Sequence, residues 1–328
     1  LVSPSFFTVS NFRIFITTNL EVKMIEDRIV YLKGEYIPWE KATVHIMSHS
    51  FGRGSAIFEV LSLHSTASGP AVFRLEAHIE RLFKSAELLD MELPLSREDL
   101  CEAVTGTVKR NGLQKGFIKV ICFYPEFSVE ILPPQKKLSV SVFAIDPEQD
   151  LGGLGIPFEE GTTLFVSNWR KLDPLSVPIE AKAAANYLNG MVARQEAKKN
   201  GFENAVMLDR HGFIAEGGTE SVFLVKDNRL MTPATGTVLK SITRMSILEA
   251  AKTDGIECFE GQLKPERLFD AEEIFLSCTP FKVLPVRQIN DRKLDNAPGP
   301  LTRKIAELLD TIAGGNDDRF KDWLYPVL

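Results

Sequence analysis

Two hydrophobic periods alternate along the chain, and each predicts its own kind of element. RIVYLKGEYIPW (28–39) reads as two short strands about a turn at Lys33–Gly34. SAIFEVLSLH and AVFRL read as a hairpin across Ser65–Pro70. EAHIERLFKSAELLDM places its apolar-phase positions at His78–Ile79, Leu82–Phe83, Ala86 and Leu88–Leu89, the spacing of a helix face. SREDLCEAVTGTVKRNG repeats that period between a Ser96 N-cap and Gly112. GFIKVICFYP and KLSVSVFAI are β-rich. Helices set beside antiparallel strands make the first half an α+β layer.

The pattern breaks at DPEQDLGGLG, where Pro147 and the glycines from Gly152 to Gly155 fit a linker. Beyond it, TTLFVSNWR is a strand and NYLNGMVARQEAKKNG a helix. Lys198 and Lys199 suit the negative end of that helix, and Gly201 closes it. AVMLDRHGFIAEGGTESVFLVKDNRLMTP is a run of strands joined at Asp209–Gly212 and Asp227–Asn228. SITRMSILEAAKTDG is a helix capped by Ser241, with Gly255 after its end. EEIFLSCTPFKVLPVRQIN holds two strands meeting near Thr279–Pro280, and PLTRKIAELLDTIAGG is a last helix. The division expected is an extension over 1–23 outside the core fold, a small α+β domain over 24–146, a linker over 147–156 and a larger domain over 157–328.

Composition narrows the class. Apolar residues make up 44% of the 328 and charged residues 25%, as in a soluble globular chain. A net charge of -6 argues against nucleic acid as partner. Cys101, Cys122, Cys258 and Cys278 form no CxxC pair, which fits a reduced, cytoplasmic protein and no structural metal. No run approaches the ~20 apolar residues of a membrane span.

Candidate chemistry gathers round VPIEAKAAANYLNG. On helical periodicity alone Lys182 is a solvated lysine at a helix start. That end of the dipole disfavours its charge and suits a neutral nucleophile able to form a Schiff base. The surrounding alanines leave room for a flat ring. Glu216 interrupts an apolar strand before Gly217–Gly218 and needs a cationic partner, which a protonated pyridine nitrogen would supply. Ser241, Ile242 and Thr243 open a helix, whose free amides favour an anion. With Tyr187 and Arg81 these residues provide an aldehyde trap, a phenol, a pyridine partner and phosphate anchors, the contacts pyridoxal phosphate requires.

The segments WEKATVHIMSHSFGRGSAIFEV, AHIERLFKSA, IEAKAAANYLNG, IAEGGTESVFLV, ITR and CTPFKVLPVR stand in one order from about Met24 to near the C-terminus. In them the chain resembles the fold-type IV (class IV) pyridoxal-phosphate aminotransferases, and within these the branched-chain amino acid aminotransferases. The resemblance implies a two-domain α+β fold of the D-amino acid aminotransferase kind: a small α+β domain, a larger pseudo-barrel domain and the cofactor between them. It implies that Lys182 carries the cofactor and then shuttles the proton. By the same resemblance Glu216 pairs with the pyridine nitrogen, Tyr187 bonds the phenolic oxygen, Leu239 packs on the ring, and Arg81, Ile242, Thr243 and Thr279 hold the phosphate. It also implies transamination between an amino acid and a 2-oxo acid, with branched-chain substrates and 2-oxoglutarate as the default, in a homodimer or higher homo-oligomer.

The substrate side departs from the family. Phe117 and Lys119 stand where the branched-chain enzymes read Tyr-x-Arg, so a phenol is lost and a fork becomes a point charge. The turn that offers amides to the substrate is Thr279–Pro280–Phe281, and Pro280 has no N–H. Arg53 takes the place of a tyrosine. Arg53 and Lys119 are candidates to receive a carboxylate; Phe58 and Trp169 are candidates for apolar walls. These changes keep open a D-amino acid or amine transaminase and an aminodeoxychorismate lyase-like elimination. A non-catalytic binding module is the remaining alternative.

Overall fold

The computed structural model describes residues 25–153, 155 and 157–328. The extension expected over 1–23 lies outside the described residues, as do Leu154 and Ile156 of the 147–156 segment. The first elements are β1 (Ile29–Leu32), β2 (Glu35–Pro38), α1 (His49–Arg53), β3 (Ile57–Thr66), β4 (Gly69–Phe73), α2 (Leu75–Leu88), α3 (Arg97–Asn111), β5 (Gly116–Phe123), β6 (Ser139–Ile145) and α4 (Pro147–Leu151). Next come β7 (Thr162–Arg170), α5 (Tyr187–Lys199), β8 (Asn204–Leu208), β9 (Ile214–Gly217), β10 (Ser221–Lys226), β11 (Arg229–Pro233) and α6 (Ile242–Thr253). The last are β12 (Cys258–Gly261), α7 (Arg267–Asp270), β13 (Glu273–Ser277), β14 (Leu284–Ile289), β15 (Arg292–Lys293), α8 (Pro300–Ala313) and β16 (Leu324–Pro326).

The first sheet has seven antiparallel strands in the order β16-β4-β3-β5-β6-β1-β2. Strand alternation decides its two faces. Ile57, Leu61, Leu63, Ile118, Val120 and Cys122 are buried with α2 and α3 in one core. Phe58, Val60, Phe117 and Lys119 take the opposite phase, and that face turns toward the second half of the chain. The helix ends follow the sequence signals. Ser96 and Asp99 form a capping box on α3, and Gly112 ends it in the left-handed region.

The second sheet runs β12-β11-β10-β13-β14-β7-β8-β9, with β15 beside β14. It curls until β9 meets β10, where the Gly217 amide donates to the Glu220 carbonyl. Val222, Leu224, Ile274 and Leu276 fill its inside. Phe223, Val225 and Phe275 point the other way, under α6 and α8. The curl makes this half a partial barrel and turns Glu216, at the end of β9, toward the first sheet.

The structure changes two expectations. Part of the 147–156 segment is α4, capped by Asp146, and the buried Arg28 guanidinium pairs with Asp150 at 2.8 Å. That ion pair joins residues 122 apart, beyond the reach of a local pattern. The unit expected over 157–328 does not keep its own end: β16 adds to the first sheet beside β4. Trp323, ahead of it, is buried against Phe73, and the Arg74 guanidinium lies 3.9 Å from its ring. Burial of this large aromatic anchors the returning segment.

Candidate active site

A cavity of about 330 Å³ lies between the open face of β3 and β5 and the curled second sheet. Phe58, Arg81, Lys119, Lys182, Tyr187, Glu216, Leu239, Ile242, Thr279 and Pro280 line it. Val60, Thr219, Ser221, Ser241 and Cys278 complete its wall.

Lys182 belongs to a loop fastened along the edge of β3. Its amide donates to Ser85 Oγ at 3.0 Å, its carbonyl accepts from the Phe58 amide at 3.1 Å, and the Ala184 amide donates to the Ala56 carbonyl at 2.8 Å. Both sides of the residue are thus held before its side chain enters the cavity. The helix read at NYLNGMVARQEAKKNG is α5, which starts at Tyr187 after a 3₁₀ turn over Ala184–Asn186, so Lys182 lies ahead of the helix rather than in its first turn. The lysine's low proton affinity therefore has another origin. Burial, then the nearby Arg81 guanidinium, bring its pKa down to about 8 against the opposing pull of Glu59 and Glu216. Lys182 Nζ donates to Tyr187 Oη at 2.5 Å, and burial followed by Glu216 pushes the phenol's pKa up. An amine of this kind is partly neutral near pH 7, as a nucleophile toward an aldehyde must be.

Glu216 already has a cationic partner that the sequence does not reveal. Lys171 Nζ lies 2.5 Å from Glu216 Oε1, both side chains almost wholly covered. That contact engages one carboxylate oxygen, and the residue also lines the cavity. At the anion end, Ser241 Oγ accepts from the Arg244 amide and starts α6. The amides of Ile242 and Thr243, in the first turn, have no carbonyl within the helix to bond. The hydroxyls of Thr243 and Thr279 lie 3.5 Å apart beside them. An aldehyde-reactive amine, a phenol, a half-committed carboxylate and a helix-start anion site fit the functional groups of pyridoxal phosphate.

Three expected substrate residues stand elsewhere. Arg53 is exposed, its Nη2 donating to the Val129 carbonyl at 2.9 Å. Trp169 is 54% exposed and is not part of the wall. Phe281 packs on the interior of the second sheet. Conversely Glu59, His78, Lys171 and Cys278 belong to the site or its support without having been singled out. Glu59 was the readable one, because it interrupts an apolar run as Glu216 does.

The approach of α5 depends on glycine. A Cβ on Gly190 would come 2.0 Å from the Gly218 carbonyl oxygen, beside the loop that follows Glu216. Gly190→Ala is expected to cost about 1–3 kcal/mol in urea unfolding, since backbone must move to admit the methyl. It should also weaken cofactor binding, because Tyr187 opens the same helix.

Residues 56–289 match the family described as Amino-transferase class IV, and the chain belongs to that family. It is a pyridoxal-phosphate-dependent aminotransferase. The branched-chain-amino-acid aminotransferase of Salmonella typhimurium is 33% identical over 301 residues, covering 91% of this chain and 97% of that protein. Among solved structures, the branched-chain amino acid aminotransferase of Escherichia coli superposes with a TM-score of 0.87. It is 32% identical and covers 92% of this chain and 100% of its own. The branched-chain amino acid aminotransferase of Thermobaculum terrenum, solved in its PLP-form, superposes with a TM-score of 0.85. It is 27% identical and covers 92% of this chain and 99% of its own.

Proposed function

We propose that the enzyme transfers the amino group of a branched-chain L-amino acid to 2-oxoglutarate and acts as a cytoplasmic homodimer. The observation that carries the substrate reading is the make-up of the cavity. Phe58, Val60 and Leu239 give it apolar walls, and Lys119 gives it a cation whose pKa burial lowers. The four free cysteines fit a reducing compartment, and the exposed apolar side chains of Ile46, Phe51, Phe127, Ile131 and Leu132 fit a subunit contact.

In this reading the bound cofactor supplies an electron sink for the pair released when the substrate loses its Cα proton. Lys182 bonds the cofactor and, once displaced, holds and returns that proton at Nζ. Tyr187 Oη keeps Nζ oriented and bonds the cofactor's phenolic oxygen. Glu216 faces the pyridine nitrogen. Arg81, the amides of Ile242 and Thr243 and the Thr279 hydroxyl hold the phosphate, and Leu239 covers the ring. Pro280 has no N–H to offer a carboxylate, and Phe117 no hydroxyl. That function falls to Lys119, whose ammonium lies 5.0 Å from the Phe58 ring centroid and whose pKa is lowered by burial.

L-leucine should convert the bound cofactor to its amino form, followed by absorbance. D-alanine and a simple chiral amine should not, and no pyruvate should appear without an acceptor. Conversion by the amine alone would sink the reading. Lys119→Met is expected to raise KM for both leucine and 2-oxoglutarate about 10- to 100-fold, the loss of a charge-assisted hydrogen bond, with a smaller change in kcat. Steady-state kinetics decide it; an unchanged KM for both would remove Lys119 from the carboxylate site.

A further inference from the structure

We propose that Glu59 and His78 are positioning residues that aim the Arg81 fork, and through it set the enzyme's selectivity for a phosphorylated cofactor. The proposal rests on the reading of Arg81 as a phosphate anchor and extends it to residues that touch no ligand.

Glu59 lies on β3 at a helix-facing position, fully buried, among the side chains of the first core. His78 and Arg81 stand three residues apart on α2, so both reach it from one helix face. Arg81 Nε donates to Glu59 Oε1 at 2.8 Å and Nη2 to Oε2 at 2.6 Å. His78 Nδ1 lies 2.7 Å from the same Oε2. Arg81 Nη1 donates to the Lys240 carbonyl at 3.0 Å, one residue before the Ser241 cap of α6.

A guanidinium has five N–H groups. Three are committed: one to each Glu59 oxygen and one to Lys240. One hydrogen on Nη1 and one on Nη2 remain, at the end of the guanidinium away from its stem, on a residue that lines the cavity. The plane of the fork is fixed by Glu59. Its register against the α6 amides is fixed by Lys240, in the segment leading into that helix. Arginine otherwise loses much rotamer freedom on binding an anion; here that freedom is already removed.

The charges support this arrangement. Burial raises the Glu59 pKa, but the Arg81 charge and the hydrogen bonds from Arg81 and His78 outweigh it and hold the carboxyl at about 2. Burial lowers the His78 pKa, so a neutral imidazole donates Nδ1–H to Glu59 without adding charge. Glu59 and Arg81 cancel, and the fork acts through directed donors more than through net charge. A cofactor without a phosphate has nothing to place on them.

The test compares pyridoxal phosphate with pyridoxal, each dialysed to equilibrium against the purified enzyme and read by the absorbance of the lysine-bound cofactor. For Glu59→Gln, Kd for pyridoxal phosphate is expected to rise about 10- to 100-fold while Kd for pyridoxal stays within about twofold. His78→Gln, which leaves the two-point contact with Arg81 intact, should move selectivity the same way by less, and it carries the test if Glu59→Gln does not fold. In an Arg81→Met background, adding Glu59→Gln should change selectivity no further. Equal weakening toward both cofactors, or an undiminished Glu59→Gln effect in the Arg81→Met background, would overturn the proposal. A wild-type enzyme that binds the two cofactors equally would instead overturn the anion-site reading beneath it.

Discussion

Lys182→Ala is expected to leave an enzyme that binds pyridoxal phosphate without a covalent bond and turns over about 10²–10⁴-fold more slowly, the usual contribution of a positioned proton carrier. The loop around Lys182 is held by Ser85, Phe58 and Ala56 through backbone groups, so the fold should survive removal of the side chain. Loss of the lysine-bound absorbance and loss of kcat should therefore appear without a large fall in melting temperature. The pH dependence has a definite sign. Because burial and Arg81 lower the amine's pKa to about 8, the neutral nucleophile becomes the majority form above that pH. Borohydride trapping of freshly added cofactor should speed up as pH rises through about 8 and level off beyond it. A rise centred near the ordinary lysine value of 10.5 would mean that the site does not lower the pKa. Retained turnover in Lys182→Ala would remove the basis of the site assignment.

Glu216→Gln is the second large effect. The substitution keeps the shape and removes the anion proposed to face the ring nitrogen, and kcat should fall about 10²–10³-fold, as when a preorganised electrostatic contact is removed from an enzyme site. A second consequence separates chemistry from stability. Lys171 would be left almost buried without its carboxylate, and an unpaired buried charge destabilises a fold. The single variant should therefore melt lower as well. Adding Lys171→Met removes the stranded charge, so melting should recover while kcat stays low. Recovery of kcat in the double variant would show that Glu216 acts through stability rather than through the cofactor.

Much of this site is legible in the chain because catalysis breaks local patterns. Lys182 among alanines and Glu216 inside an apolar strand are both out of place by periodicity, and the structure brings both to one cavity. The hairpins were readable for a related reason. Lys33–Gly34 and Asp227–Asn228 adopt positive φ, and such turns favour these small or polar residue types. His78 sits on the buried face of α2, as its phase requires, but phase does not say that its partner is a carboxylate on β3. Lys171 pairs with a residue two strands later in the chain, and Arg28 with one 122 residues on; neither pairing leaves a local trace. Trp169, a candidate wall, lies off the cavity because the curl of the second sheet, not strand alternation alone, decides which end residues face it.

The return of β16 has a consequence for the order of events during synthesis. A ribosome releases β4 long before it releases residues 324–326, yet β4 finds one of its two neighbours only there. Until then the nascent first sheet carries an open edge, the kind of surface on which unfinished chains pair with one another. The first unit to emerge is thus among the last to be sealed. The final dozen residues, far from the lysine in sequence, close the sheet whose third strand from that edge, β3, supports it.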